Sequence, residues 1–528
     1  MKFRFMYLIA FATFQMLSSA GFAEQRLSFN LQGEPKTLDP HLAIGILDSY
    51  VINSLIEGLI TLDEKGLPLP AMAQKWEISE DKKTYTFHLR DAKWTNGDPV
   101  KADDFVFGLH RSLDPATASE YAYQVFLVQG AEEFNSGKQK DPATIAVKAI
   151  TSQTLEIKLK NPTPYFLSLL AHIAYMPVNE RVVRANPKWA NAPDTYVGNG
   201  PFMLSEWRHN DTIVLRKNPT YYAANTVKLD AIDMPMIVNE STALLQWEAG
   251  KLDICETYVP LPDIPRLKKE GKFQVAPYLG IYYVAVQNAA KPFNDVRVRK
   301  AFSLAINRRQ ITDAVLRGGQ PPAQALIPPG IVLPDGGDFR HKGGDLFKED
   351  IAEAKRLLTE AGYPNGRGFP RVKYLYNDIQ QHRTIGEALQ QMWQQNLGVK
   401  VDLQVQEYKV YLQSVQAKNY QIARAGWIGD FLDPVAFLDM FVTGAGNNNF
   451  NYANKDVDKL ISDSRSTTDT ATRFQLLHAA EKKVIAEDMA VLPIYFYVDP
   501  FLQKPYVKGV IRNPIGNLLF QHAYIEGK

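Results

Sequence analysis

A single cysteine, Cys255, stands among 528 residues, so the chain can form no internal disulfide and its stability has to come from a buried core. An excess of either charge is also missing: 59 Lys and Arg against 57 Asp and Glu leave a formal +2. That balance gives no electrostatic footprint for a nucleic-acid polymer or for an anionic membrane surface. The nine histidines contain no i, i+4 pair and no HExxH helix, so no zinc site is signalled. The sequence has no GxxxxGK[ST] loop, no GxGxxG and no GxSxG elbow, which removes the usual phosphate cradles and the common hydrolase nucleophile. Ser79-Glu-Asp-Lys82 matches SxxK, but it lies in a polar turn before a strand, where serine and lysine are not held together on a helix. Long apolar runs are absent too. The one from Phe5 to about Leu17 is too short to span a bilayer, and no later stretch qualifies.

That short run has a different meaning. Lys2 and Arg4 precede it and small residues ending Gly21-Phe22-Ala23 follow it, the pattern of a cleavable secretory signal over residues 1–23. Cleavage after Ala23 removes two positive charges and leaves a mature chain near neutrality. No cysteine follows the cleavage point to carry a lipid, so the expected product is free in the periplasm, with no direct membrane anchor. Hydrophobic residues at 45%, charged at 22% and aromatic at 11% are ordinary for a folded protein. The length exceeds what one core usually serves, so at least two domains are expected.

Alternating apolar residues predict strands at Tyr85, Phe87 and Leu89, at Leu155, Ile157 and Leu159, and at Ile213 and Leu215. Cys255 falls in a similar run, Leu252-Asp-Ile-Cys-Glu, and reads as a packed strand residue rather than a nucleophile. Ile351, Ala354, Leu357, Leu358 and Ala361 keep helical spacing and stop at Gly362 with Pro364 beyond. The segment Arg371–Val405 reads as a βαβ unit: Val372-Lys-Tyr-Leu-Tyr, then Ile385, Leu389, Met392 and Trp393 on one helix face, Gly398, and alternating Val399, Val401, Leu403, Val405. Ligands of open α/β sheets collect beyond the carboxyl ends of strands. Two loops therefore become candidate contact surfaces, Asn377–His382 and Trp427–Pro434.

Separate blocks along the mature chain carry a resemblance. They include Glu34-Pro-Lys-Thr-Leu-Asp-Pro40, Pro70-Ala-Met-Ala-Gln-Lys-Trp76, Trp94-Thr-Asn-Gly-Asp-Pro99, Asn199-Gly-Pro-Phe202, Pro292-Phe-Asn-Asp-Val-Arg-Val-Arg299, Ala423-Arg-Ala-Gly-Trp427 and Leu492-Pro-Ile-Tyr-Phe-Tyr497. Any one is weak, but in this order and spacing they resemble family 5 solute-binding proteins of ABC importers, oligopeptide binders above all. The resemblance implies an α/β, two-lobed, periplasmic-binding-protein-like type II fold with an additional, mixed α+β third domain. It places lobe one at 24–57, 181–281 and 499–528, a side domain at 58–180 and the second lobe at 282–498. It implies no cofactor and no metal, a short peptide as ligand, an inner-membrane permease as partner, and a monomer.

A binder of varied peptides must use what every peptide has: a main chain, an ammonium and a carboxylate. An enclosed ammonium is costly unless a carboxylate faces it. By the resemblance Asp430 is that carboxylate; the competing reading, an Asx-turn, suits Asp433 before Pro434 better. Tyr121 matches a family tyrosine acting at the same end, against plain aromatic packing. Arg424 and His382 match residues that meet peptide termini, with an exposed loop position as the alternative for His382. Trp427 and Tyr408 are read as pocket walls or as core. Departures from the family pattern fall at Leu316, beside Arg317, where relatives carry a lysine. They fall also at Gly280 and Ile428, where relatives have a disulfide, and at Ile44 and Val415, where charges are lost. These losses leave open a murein peptide, a sugar oligomer or a metal complex as ligand; a secreted hydrolase is the alternative of another class.

Overall fold

The computed structural model describes residues 24–256 and 259–528; the signal read at residues 1–23 lies outside them. Among the described residues a ten-stranded sheet runs from Val401–Gln406 at one edge through Val372–Asn377, Ile422–Ile428, Phe273–Val286, Val491–Gln503, Ile254–Glu256, Arg26–Asn30, Ala231–Pro235 and Thr212–Lys217 to Phe202–Arg208 at the other. Two antiparallel strands in its middle, of 14 and 13 residues, are long enough to belong to both halves. Their pairing comes in two stretches, Phe273–Pro277 against Val498–Leu502 and Ile281–Ala285 against Val491–Phe496, with the register shifting between Pro277 and Ile281. Pro277 has no N–H to give the ladder. Within the interruption the backbone of Leu279 bonds elsewhere, its N–H to Pro514 O at 2.6 Å and its C=O to Gly429 N at 2.8 Å. The chain therefore crosses from one half of the sheet to the other through a pair of strands with a break at their centre.

The βαβ unit forms as the periodicity predicts. Val372–Asn377 and Val401–Gln406 pair in parallel, joined by the helix Gln380–Leu397 with Ile385, Leu389 and Trp393 buried against the sheet. Gly398 ends that helix at φ 72°, and a Cβ there would stand 2.5 Å from Asn365 O, so glycine is required twice over. Val372–Asn377 is also parallel to Ile422–Ile428. The carboxyl ends of both strands, and the loops that follow them, consequently point the same way. The helix Ile351–Glu360 buries Ala354, Leu357 and Leu358 and stops before Gly362 at φ 95°.

A second, antiparallel sheet of four strands is ordered Ala73–Ile78, Thr84–Leu89, Thr154–Lys158, Val147–Thr151. Tyr85, Phe87, Leu89, Leu155 and Ile157 point inward, as the alternation predicts, beneath Phe105, Leu109 and Leu113 of the helix Ala102–Leu113. This core does not end with the sheet. It continues without a break to Ile281, Leu326, Phe437 and Leu477, whereas Phe29, Ile213 and Ile232 belong to a second core and Val284, Phe302 and Trp393 to a third.

Cys255 lies buried in the strand Ile254–Glu256, and burial pushes its thiol up to about 12. It should resist a thiol reagent in the native protein at pH 8 and react at once in denaturant. Rapid native labelling would mean that this strand opens.

Candidate functional site

The largest of the described cavities, about 900 Å³, opens where the loop after the strand Ile422–Ile428 faces the segment Tyr121–Leu127. Its walls are aromatic: Tyr121, Tyr123, Tyr165, Tyr408, Trp427 and Phe431. Trp427 is fixed by its indole N–H donating to Ala436 O at 2.6 Å, and Tyr165 stacks on Phe431 with centroids 4.2 Å apart. The volume lies within the range of small-molecule sites, near its upper end.

Two aspartates follow the same strand and meet different fates. Asp433 is buried, with both carboxylate oxygens 2.8 Å from the guanidinium of Arg473, and it also accepts from Val435 N at 3.0 Å. It is a structural residue that holds the loop. Asp430 lines the cavity and accepts one side-chain hydrogen bond, from Gln124 Nε2 at 2.7 Å. Among the described residues no cation is in ion-pair contact with it. Burial, only partly offset by the Gln124 bond, raises its carboxyl to about 6. A carboxylate with one neutral donor and no countercharge, beside a cavity, is matched to a cationic group brought in from outside.

Gln124 is placed for this by the short helix Ala122–Val125, and its own C=O accepts from the Tyr175 hydroxyl at 2.7 Å. Tyr121 sits on the same wall. Its ring packs edge-on against His172 at 4.6 Å, its hydroxyl is 3.5 Å from Ile44 O, and burial together with Asp430 holds it protonated, up to about 12.

Of the six residues singled out from sequence, Asp430, Tyr121, Trp427 and Tyr408 come together on this cavity. Arg424 and His382 do not line it; both sit against Tyr282 in an adjoining tyrosine cluster. The reading of His382 as a position in the loop after Asn377 is corrected: the helix begins at Gln380, so His382 lies in its first turn and is buried. Its Nδ1 is 3.5 Å from the hydroxyl of Tyr282, which is in turn 3.4 Å from that of Tyr374. Burial, reinforced by Arg424, lowers its pKa to about 3, so it is neutral at physiological pH. The Arg424 guanidinium lies 5.6 Å from the Tyr282 ring and 6.0 Å from that of Tyr411, and its Nε has no hydrogen-bond partner. Its strand neighbour two residues on, Gly426, does line the cavity, and a Cβ there would stand 2.7 Å from the Tyr497 hydroxyl. Residues i and i+2 share a face, so the arginine cluster adjoins the cavity along one side of this strand.

Sequence reasoning missed Gln124, Tyr165, Phe431 and the tyrosines around Arg424. Among these, Tyr374 carried a signal only as part of the strand Val372-Lys-Tyr-Leu-Tyr, and Tyr495 and Tyr497 only as part of the block Leu492-Pro-Ile-Tyr-Phe-Tyr497. Trp427 and Ile428 prove to end the strand Ile422–Ile428, so the loop proper starts at Gly429.

Residues 68–449 match the family model of bacterial extracellular solute-binding proteins, family 5, middle. The chain belongs to this family. It is 40% identical over 510 residues to the oligopeptide-binding protein OppA of Bacillus subtilis, covering 95% of this chain and 92% of that protein. The crystal structure of Haemophilus influenzae OppA in complex with RPPGFSPFR superposes with a TM-score of 0.79 at 34% identity, covering 95% of this chain and 99% of that one. The unliganded open form of MppA, a periplasmic murein tripeptide-binding protein, gives 0.79 at 34% identity, with 95% and 97% covered. The fold is accordingly the mixed α/β, type II periplasmic-binding-protein kind. No helix among the described residues is long and apolar enough to cross a membrane.

The family departures also find their places. Leu316 is buried in the core, and Arg317 is exposed with its Nε on Ala314 O at 2.9 Å; neither borders the cavity. Gly280 and Ile428 are register partners on adjacent strands, and a Cβ at Gly280 would stand 2.6 Å from Ile428 Cδ1. Ile44 is 38% exposed beside Tyr121, and Val415 packs on the small cluster of Leu375, Tyr411 and Ala423.

Proposed function

We propose that this family 5 protein captures short peptides by their free amino terminus and passes them to an ABC permease in the inner membrane, acting as a periplasmic monomer without chemistry of its own. The observation that carries the reading is Asp430, a carboxylate without a countercharge on the wall of a 900 Å³ cavity. The resemblance of the blocks around it, and relatives described as oligopeptide-binding proteins, support it. In this reading the lobes are 24–57 with 181–281 and 499–528, and 282–498, with 58–180 as a side domain. The broken pair of central strands is where they would pivot. Arg424 and His382 receive the far end of the peptide, the arginine as a carboxylate partner and the neutral histidine as a hydrogen-bond donor through one tautomer.

Native mass spectrometry of protein purified from periplasm, followed by denaturing release and sequencing of the cargo, tests this. A ladder of varied, uncleaved peptides is expected. A single species containing diaminopimelate favours the murein-peptide reading, which the lost charges at Leu316, Ile44 and Val415 and the likeness to MppA support. Sugars or metal complexes, or peptides returned cut, would contradict the proposal.

The pH dependence has a definite sign. Of the two aspartates on the cavity Asp439 is paired with Arg465 at 2.6 Å, which leaves the ammonium to Asp430, whose carboxyl burial raises to about 6. Affinity for a free-amino peptide should be greatest near pH 7, fall below pH 6 by up to about tenfold per pH unit, and decline again from about pH 8 as the peptide's own amino group loses its proton. N-acetylated peptides should show no such fall, and calorimetry across pH 5–8 checks both.

A further inference from the structure

The 900 Å³ cavity is larger than an ammonium and the start of a main chain require. Tyr408 and Gly426 line it on the side of Arg424, whereas Val435, Asp439, Met440 and Asn447 line it on the chain that follows Asp430. A peptide that starts at Asp430 and runs toward Arg424 leaves this second part free of main chain. The ammonium and the first side chain leave the same Cα, so the first side chain is the group that can enter it.

That part has apolar walls and one polar end. Leu127, Leu169, Met440 and the stacked rings of Tyr165 and Phe431 bound it. Asp439 supplies the polar end. Its Oδ1 has no accessible surface and lies 2.6 Å from Arg465 Nη2, yet 42% of the side chain stays exposed. Its main-chain oxygen is taken by Val442 N at 3.2 Å. The exposed surface of this lining residue is therefore that of Cβ and Oδ2, and Oδ2 accepts no side-chain hydrogen bond among the described residues. Tyr165 feels the same carboxylate: burial first, and then Asp439, keep its hydroxyl protonated.

The charges select among side chains. Arg465 is the countercharge of Asp439, and Arg473, 5.9 Å from the Tyr165 ring, is the countercharge of Asp433. The two pairs leave this end without net charge. A lysine or arginine tip would be desolvated near two guanidinium groups and find no unpaired carboxylate, and an acidic tip would face Asp439. A neutral donor needs only the free oxygen, and an O–H or N–H carried by an aromatic ring also brings the apolar body that the walls accept.

On the basis of the Asp430 reading, we propose that this end of the cavity is the subsite for the peptide's first side chain and that it selects tyrosine or tryptophan, whose ring fills the apolar part and whose O–H or N–H donates to Asp439 Oδ2.

Titration calorimetry of the mature chain with trialanine, with the tripeptides that replace its first alanine by phenylalanine or by tyrosine, and with the N-acetylated tyrosine peptide tests this. Phenylalanine should bind at least about tenfold tighter than alanine through burial of the ring, and tyrosine about tenfold tighter again through its bond to a carboxylate. In the double variant Asp439→Leu with Arg465→Met, which strands no charge, the advantage of tyrosine over phenylalanine should vanish while that of phenylalanine over alanine remains. Thermal melting checks that the variant folds. If it does not, NMR contacts between the tyrosine ring protons and the Met440 methyl of the wild-type protein decide the matter. Equal affinity for the alanine and tyrosine peptides, no gain of tyrosine over phenylalanine, a gain that survives in the folded variant, or no contact with Met440 would each overturn the proposal and leave the Asp430 reading standing. Tight binding of the N-acetylated peptide would instead bring down that reading, and the subsite with it.

Discussion

Asp430→Asn is expected to weaken binding of a free-amino tripeptide by about 10²-fold, with little change in melting temperature. Removing one partner of an enclosed ion pair typically costs 3–5 kcal/mol, because the other charge is left buried and unpaired. Here the wall is only half-buried before a ligand arrives, so a discounted loss of about 3 kcal/mol is appropriate, or roughly two powers of ten in Kd. Asparagine keeps the shape and can still accept from Gln124, so the effect isolates the charge. The N-acetylated tripeptide should bind the wild-type protein weakly and the variant equally weakly. Titration calorimetry of the four combinations gives the coupling directly. A comparable loss for both peptides would mean that Asp430 shapes the wall rather than pairs with an ammonium.

Asp433→Ala is expected to have the largest effect on stability, about 3–5 kcal/mol. Asp433 and Arg473 are both at or below 5% exposed and are joined by two 2.8 Å bonds. Truncating the acid strands a guanidinium beside Tyr165 in a nearly dry environment. It also frees Val435 N, which Asp433 caps. Replacing both partners together, Asp433→Leu with Arg473→Met, should recover most of the loss, since an apolar pair of similar volume avoids desolvating two charges. Urea unfolding read at a fixed midpoint difference checks this. Because Asp433 holds the loop that presents Asp430, the single variant should also bind peptide less well. Unchanged urea resistance in Asp433→Ala would show that the pair contributes nothing net.

Much of this was legible from residue patterns, and the reasons are physical. The βαβ unit could be read because its helix keeps Ile385, Leu389 and Trp393 on one face and its strands alternate, so periodicity reports burial directly. Asp430 was singled out by the resemblance, and only Asp433 could be given a local use from the sequence, as a turn former before Pro434. His382 was misplaced because helix starts without a side-chain cap leave little trace; Ile379, the residue before the first turn, offers no capping oxygen. Gln124 was invisible for a different reason. It meets Asp430 across 306 positions of sequence, and nothing local distinguishes a glutamine that donates to a cavity-wall aspartate from a solvated one. The tyrosine cluster around Arg424 draws on four separate strands or helices, so it exists only once the sheet has assembled.

The most direct test is a crystal structure of the protein with a defined tripeptide. The account predicts the peptide nitrogen at ammonium–carboxylate hydrogen-bonding distance, about 2.7–2.9 Å from an Asp430 oxygen, with Tyr121 beside it and the carboxylate end toward Arg424. A peptide lying in the reverse direction, or Asp430 still bound only by Gln124 while the ligand sits elsewhere, would contradict it.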